Sequence, residues 1–139
     1  MKQEANVRAF KNELANYQYY KDKALLLQEK IDDCYNLLPG SIHGNNPQKL
    51  PIYGGVPNKE FEYKVRDEIE RYGHELSRLN DKINSIDEIL LKIETPLQAA
   101  IIDKYAHGRT LEQVATNMFL SSAGLLKQIN KAIKKALDD

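Results

Sequence analysis

Nine apolar residues, Val65, Ile69, Tyr72, Leu76, Leu79, Ile83, Ile86, Leu90 and Ile93, follow one another in alternating steps of four and three. That spacing is a coiled-coil seam: it places every member on one side of a helix, and the stripe must be covered by a partner. An earlier stretch offers one. Val7, Phe10, Leu14 and Tyr17 keep helical spacing, and the stripe then shifts through Tyr20, Ala24, Leu27, Ile31, Cys34 and Leu38. A change of phase like this points to packing against partners on both sides of the shift, or to a local adjustment of the supercoil. Each helix, at roughly 35 residues, spans about 50 Å.

Between the two stripes lie residues 39–58, which contain four prolines and four glycines, so no helix crosses the segment. The economical arrangement is a long antiparallel hairpin over residues 1–94 with a loop at 39–58. Connections of this length are uncommon inside compact domains and are either functional or disordered. Ile42, Leu50, Ile52 and Tyr53 give this one apolar side chains that can fold back on the hairpin. A two-helix hairpin leaves part of its apolar surface open, and tyrosines 17, 19, 20, 63 and 72 suit a partly exposed face. The expectation is therefore a homodimer formed through the hairpin.

Residues 95–139 are punctuated differently. Thr95-Pro96 opens a helix, with threonine as a cap and proline in the first turn. Leu97, Ala100, Ile101 and Tyr105 continue it to Gly108, a residue type that commonly ends helices in the left-handed conformation. Thr110-Leu111-Glu112-Gln113 is a capping-box pattern that starts a second helix with Leu111, Val114, Ala115 and Met118 on one face. Ser121-Ser122 offers the next cap, and Leu125, Leu126, Ile129, Ala132, Ile133 and Ala136 mark a third helix.

Two helices joined by so short a turn have the spacing of a helix-turn-helix, whose second helix enters the major groove of DNA. With Leu125, Ile129, Ala132 and Ala136 inward, the outer face carries Ser122, Ala123, Leu126, Lys127, Asn130, Lys131 and Lys134. Between Ser121 and Leu137 there are four lysines and no acid, although the chain as a whole balances 20 basic against 20 acidic residues. Such a local excess attracts phosphate at zero net charge. The lysines also complement a helix C-terminus and keep a face solvated without any DNA, so the run gains meaning only from the caps and spacing around it.

The stretch from Leu97 to Leu137 resembles region 4 of sigma-70-type factors. Lys104-Tyr105, Gly108, Thr110, Gln113-Val114-Ala115, Ser121, Leu125, Ile129 and Ala132 occupy the positions of that pattern. With a helical hairpin in front, the chain is similar to the sigma-like late transcriptional regulators of phages of Gram-positive bacteria, the ArpU/RinA type. The resemblance implies a DNA-binding activator of phage late genes that contacts host RNA polymerase. Phe119 departs from the pattern, because the turn usually carries a glycine there. Ser122-Ala123-Gly124 is likewise poor in the Arg, Lys, Asn or Gln that read base edges.

Composition and spacing exclude other classes. No run reaches the ~18 apolar residues of a membrane span and the N-terminus has no signal-peptide core, so the expectation is a soluble protein of the bacterial host cytoplasm. Cys34, the only cysteine, sits on the apolar stripe as a small core residue. His43, His74 and His107 lack partners at ligand spacing, and Asp32-Asp33 and Asp87-Glu88 are adjacent pairs that point apart on a helix. No enzyme, metal or cofactor is indicated.

The reading is all-α: a long antiparallel helical hairpin followed by a three-helix helix-turn-helix domain at 95–139. It is expected to be a sequence-specific transcriptional regulator with double-stranded DNA as partner. Lys127 and Asn130 lie nearest the bases, Arg109, Lys131 and Lys134 on phosphates, and Thr110, Ser121, Ser122, Ala123 and Leu126 along the same surface. Two alternatives stay open: a coiled-coil interaction module whose last helices serve packing, and a phage small terminase subunit that binds DNA for packaging.

Overall fold

The computed structural model describes residues 2–39 and 59–138, and every regular element among them is helical. Helix α1 spans Lys2–Ala15, α2 Tyr17–Asn36, α3 Lys59–Leu91, α4 Thr95–Ile101, α5 Leu111–Asn117 and α6 Ser122–Asp138; a π-helical turn, Ile102–Ala106, continues α4. The chain is all-α, as the two helical periodicities require. Ile42, His43, Leu50, Ile52 and Tyr53 of the connection lie outside the described residues. No described helix is long and apolar enough to cross a membrane.

The shift of phase in the first stripe coincides with a break between α1 and α2. The Asn16 side chain donates to the Asn12 carbonyl at 3.3 Å, while the Asn16 amide turns to the Glu13 carbonyl at 3.1 Å. A short polar side chain has displaced its own backbone amide from the helical partner four residues back, so the helix stops and restarts. The consequence is that both phases are buried: Val7, Phe10 and Leu14 before the break, Tyr17, Tyr20, Leu27, Ile31, Cys34 and Leu38 after it.

Two compact units result, one formed by residues 1–21 with 81–139 and the other by residues 22–80. The division at 94/95 expected from punctuation is thus not where contacts thin out. Helix α1 packs on α6 and on the π turn, which binds it to the C-terminal elements within the first unit. Leu14, Ile101, Leu125, Ile129 and Ile133 are completely buried there. Tyr17 donates its hydroxyl to Asp87. Tyr20 donates to Glu13 at 3.0 Å, with the Lys82 ammonium 5.1 Å from its ring centre. Of the five tyrosines expected on a partly exposed face, Tyr17 and Tyr20 are therefore core residues with a hydrogen-bonded tip, the usual arrangement for a buried phenol.

In the second unit, Lys23 pairs with Glu75 at 2.9 Å, Lys30 lies over the Tyr72 ring and Cys34 donates to Glu68 at 3.7 Å. Partners on α3 fall in number as those on α2 rise, so the two segments are antiparallel. Cys34, Leu38 and Val65 form a small core, with Phe61, Ile69 and Tyr72 packed against it. Burial, helped by the Glu68 carboxylate, pushes the Cys34 thiol up and keeps it protonated. Lys23 holds the Glu75 carboxyl below the usual range. Leu25, Leu26, Tyr35 and Tyr63 of this unit stay open to solvent.

Candidate nucleic-acid interface

Helix α4 begins without a side-chain cap. Its N-cap is Glu94 and Pro96 sits in the first turn, so Thr95 is the first helical residue and not the cap expected of it. The Gln98 side chain, one turn later, donates to the Leu90 carbonyl at 2.7 Å and ties α4 to the end of α3. From Ile102 the hydrogen bonds lengthen to π spacing, with the His107 amide on the Ile102 carbonyl at 3.0 Å, and the Arg109 amide then closes the end of the turn on the Asp103 carbonyl, also at 3.0 Å. Gly108, at φ 72°, turns the chain out of this helix as its residue type predicts. Asp103 then receives His107 at 3.2 Å and Arg109 at 4.0 Å, which draws the Arg109 guanidinium back over the turn.

The capping box is complete: the Gln113 amide donates to the Thr110 hydroxyl at 3.1 Å and the Thr110 amide to the Gln113 side chain at 3.2 Å. Helix α5 then runs about two turns, burying Val114 and Ala115. It ends in a Schellman motif, with the Phe119 amide on the Thr116 carbonyl and the Leu120 amide on that of Ala115. The left-handed position of that motif, usually glycine, is Phe119 at φ 57°. Its ring is 96% exposed, so nothing in the unit repays the strain. Phe119→Gly is therefore expected to raise stability by about 1 kcal/mol, as relief of the left-handed strain exceeds the extra flexibility of the unfolded chain. Thermal unfolding of the two proteins measures it, and an equal or lower midpoint for the variant would contradict this account of the turn.

Ser121 caps α6 by accepting from the Gly124 amide at 3.1 Å. The same contact explains Gly124, where a Cβ would stand 2.9 Å from the capping oxygen. Leu125, Ile129, Ile133 and Ala136 form the buried stripe, so Ile133 takes the inward place anticipated for Ala132, which is half-buried. The stripe turns Ala123, Lys127 and Lys131 outward, all exposed. Ser122 and Leu126 are half-buried at one edge of that face. Lys127, Lys131 and Lys134 have no ion pair among the described residues.

Asn130 and Lys134 differ from the other expected contacts because they are half-buried against α1. The Lys11 ammonium donates to the Asn130 carbonyl oxygen and lies 5.2 Å from the centre of the Tyr105 ring, whose other cation neighbour is Lys104 at 5.4 Å. One lysine thus links α1, the π turn and α6. Arg109, Thr110, Gln113, Thr116 and Asn117 line a separate open hollow on α5, so the structure gathers Ala123, Lys127 and Lys131 on one face but keeps Arg109 apart. Arg8 and Lys11 carried no signal in the sequence, because their proximity to α6 depends on contacts across more than a hundred residues of chain. Among the described residues no cluster of His, Cys, Asp and Glu is suited to hold a metal ion. No family model, no curated protein and no solved structure matches the chain.

Proposed function

We propose that the protein is a double-stranded-DNA-binding transcriptional regulator that lays α6 in the major groove. The observation that carries the reading is the outward face of α6. It is a capped 17-residue helix, set by a tight turn after α5, with Lys127 and Lys131 exposed, without an ion pair among the described residues, and with no acid on the helix before Asp138. Lys127 stands nearest the bases, and Lys131 and Lys134 reach phosphates. Ala123 and Ser122 at the leading end offer little hydrogen bonding to base edges, so backbone charge supplies much of the affinity. The resemblance to phage late regulators adds activation of late genes and contact with host RNA polymerase to this proposal, and a bacterial cytoplasm as its setting. The open apolar residues Leu25, Leu26, Tyr35 and Tyr63 support self-association, which would present two such helices to paired half-sites.

The competing reading, a protein-interaction module, draws its support from Phe119, an aromatic ring held in solvent at the turn itself. Duplex binding as a function of salt separates the two. The double variant Lys127→Ala, Lys131→Ala should bind about tenfold more weakly at ~100 mM salt, with a log–log salt slope shallower by about 0.9, the release expected for the one phosphate contact that Lys131 makes. No retardation of duplex DNA at ~50 mM salt, or retardation untouched by the double variant, removes the DNA assignment and leaves the interaction module.

A further inference from the structure

Helix α1 belongs to the same compact unit as α6 and packs directly against it. Between them lies an open cleft of about 310 Å³ lined by Glu4, Val7, Arg8, Lys11, Asn130 and Lys134, three cations against one carboxylate. We infer that this cleft is a phosphate-holding site, so that α1, at the opposite end of the sequence from the helix-turn-helix, forms part of the DNA-binding surface. The inference rests on the proposal that α6 enters the groove.

Dimensions carry the argument. An α-helix with its side chains is about 10–12 Å across, and the major groove is about 12 Å wide, so α6 alone fills it. A second helix packed alongside has its axis about 8–10 Å away, which places it over the phosphates that bound the groove. Lys127, Lys131 and Lys134 lie within about 60° of one another around α6 at 100° per residue. Lys134 is the member next to α1, and Arg8 and Lys11 continue the basic surface from it across the cleft.

The two cations of α1 have different duties. Lys11 is committed to Asn130 and the Tyr105 ring, and it fixes the position of α1. Arg8 is exposed and has no ion pair among the described residues, and a guanidinium suits a phosphate because its planar fork donates two parallel hydrogen bonds. Glu4 stands in the same cleft and opposes the anion. Its replacement therefore has the opposite sign.

Anisotropy of a labelled mixed-sequence duplex, titrated with the full-length protein over a range of salt, provides the test. Arg8→Ala is expected to weaken binding about three- to fivefold at ~100 mM salt and to make the salt slope shallower by about 0.9. Glu4→Gln should tighten binding about twofold, and it carries the test by itself should Arg8→Ala fold poorly. Both variants indistinguishable from the unaltered protein, while Lys127→Ala with Lys131→Ala still weakens binding, overturns the α1 site and leaves α6 docking in place. Failure of the unaltered protein to bind duplex overturns both.

Discussion

Replacing Ile129 by alanine is expected to lower the stability of the unit formed by residues 1–21 and 81–139 by about 3–4 kcal/mol, in the upper part of the range for removing a buried isoleucine. Ile129 has no solvent exposure and lies between Leu125 and Ile133, which have none either. The helix is gripped from several sides, by α1, by α5 and by the Lys92 ammonium, which donates to the Ala136 carbonyl at 3.4 Å. Packed walls of this kind relax little, so most of the lost contact remains as a cavity. Urea unfolding gives the magnitude, and hydrogen exchange tests the domain division. Because α1 is built into this unit, amides of Val7–Ala15 should lose protection together with those of α6. Undiminished protection in α1, or a loss below about 1 kcal/mol, would refute the shared core. At temperatures where the variant stays folded, its DNA salt slope should equal that of the unaltered protein, since no phosphate contact has been removed.

Local chemistry was legible in the sequence to different degrees. The capping box at Thr110 and Gln113, the left-handed Gly108 and the Ser121 cap are contacts between residues within a few positions of one another, and such contacts are written into residue type. The phase shift near Tyr17 was equally visible, although its cause, the Asn16 side chain bonding back to Asn12, shows only once the backbone is placed. Two features had no local signature. A stripe records that a face is buried and not against what, so Val7, Phe10 and Leu14 are read as hairpin residues until α1 is seen to pack on α6. The same long-range contact decides that Asn130 and Lys134 lie beside α1 while Lys127 and Lys131 remain on an open face. Thr95 failed as a cap for a different reason: the chain leaves α3 so tightly that Glu94 already occupies the N-cap position, and the Leu90 carbonyl at the junction accepts from both the Ile93 amide and the Gln98 side chain.

Alkaline pH should unfasten the first unit at Tyr17. Burial, reinforced by the hydrogen bond to Asp87 and by its charge, pushes the Tyr17 hydroxyl up to about 12 from the ordinary value of 10.0. The folded-state value lies above the unfolded one, so the stabilisation is fully present below pH 10 and is lost as pH rises from 10 towards 12. A separation of two units corresponds to about 2–3 kcal/mol. Tyr20, raised by burial and by Glu13, contributes in the same direction. Lysines also lose their charge in this range, so the raw pH profile does not isolate the phenol. The difference between the unaltered protein and Tyr17→Phe does, because the lysines are common to both. At pH 7 the variant should be less stable by about 1 kcal/mol, the usual net worth of a hydrogen bond whose charged partner keeps some access to water. Above about pH 11 the order should reverse, as the unaltered protein must bury a phenolate beside a carboxylate and the variant has nothing there to ionise. Urea midpoints followed by helical ellipticity at several values between pH 8 and about 11.5 decide the matter. Parallel declines for the two proteins would mean that the Tyr17 hydroxyl titrates as it does in the unfolded chain, and that the contact with Asp87 does not hold α2 to α3 in this unit.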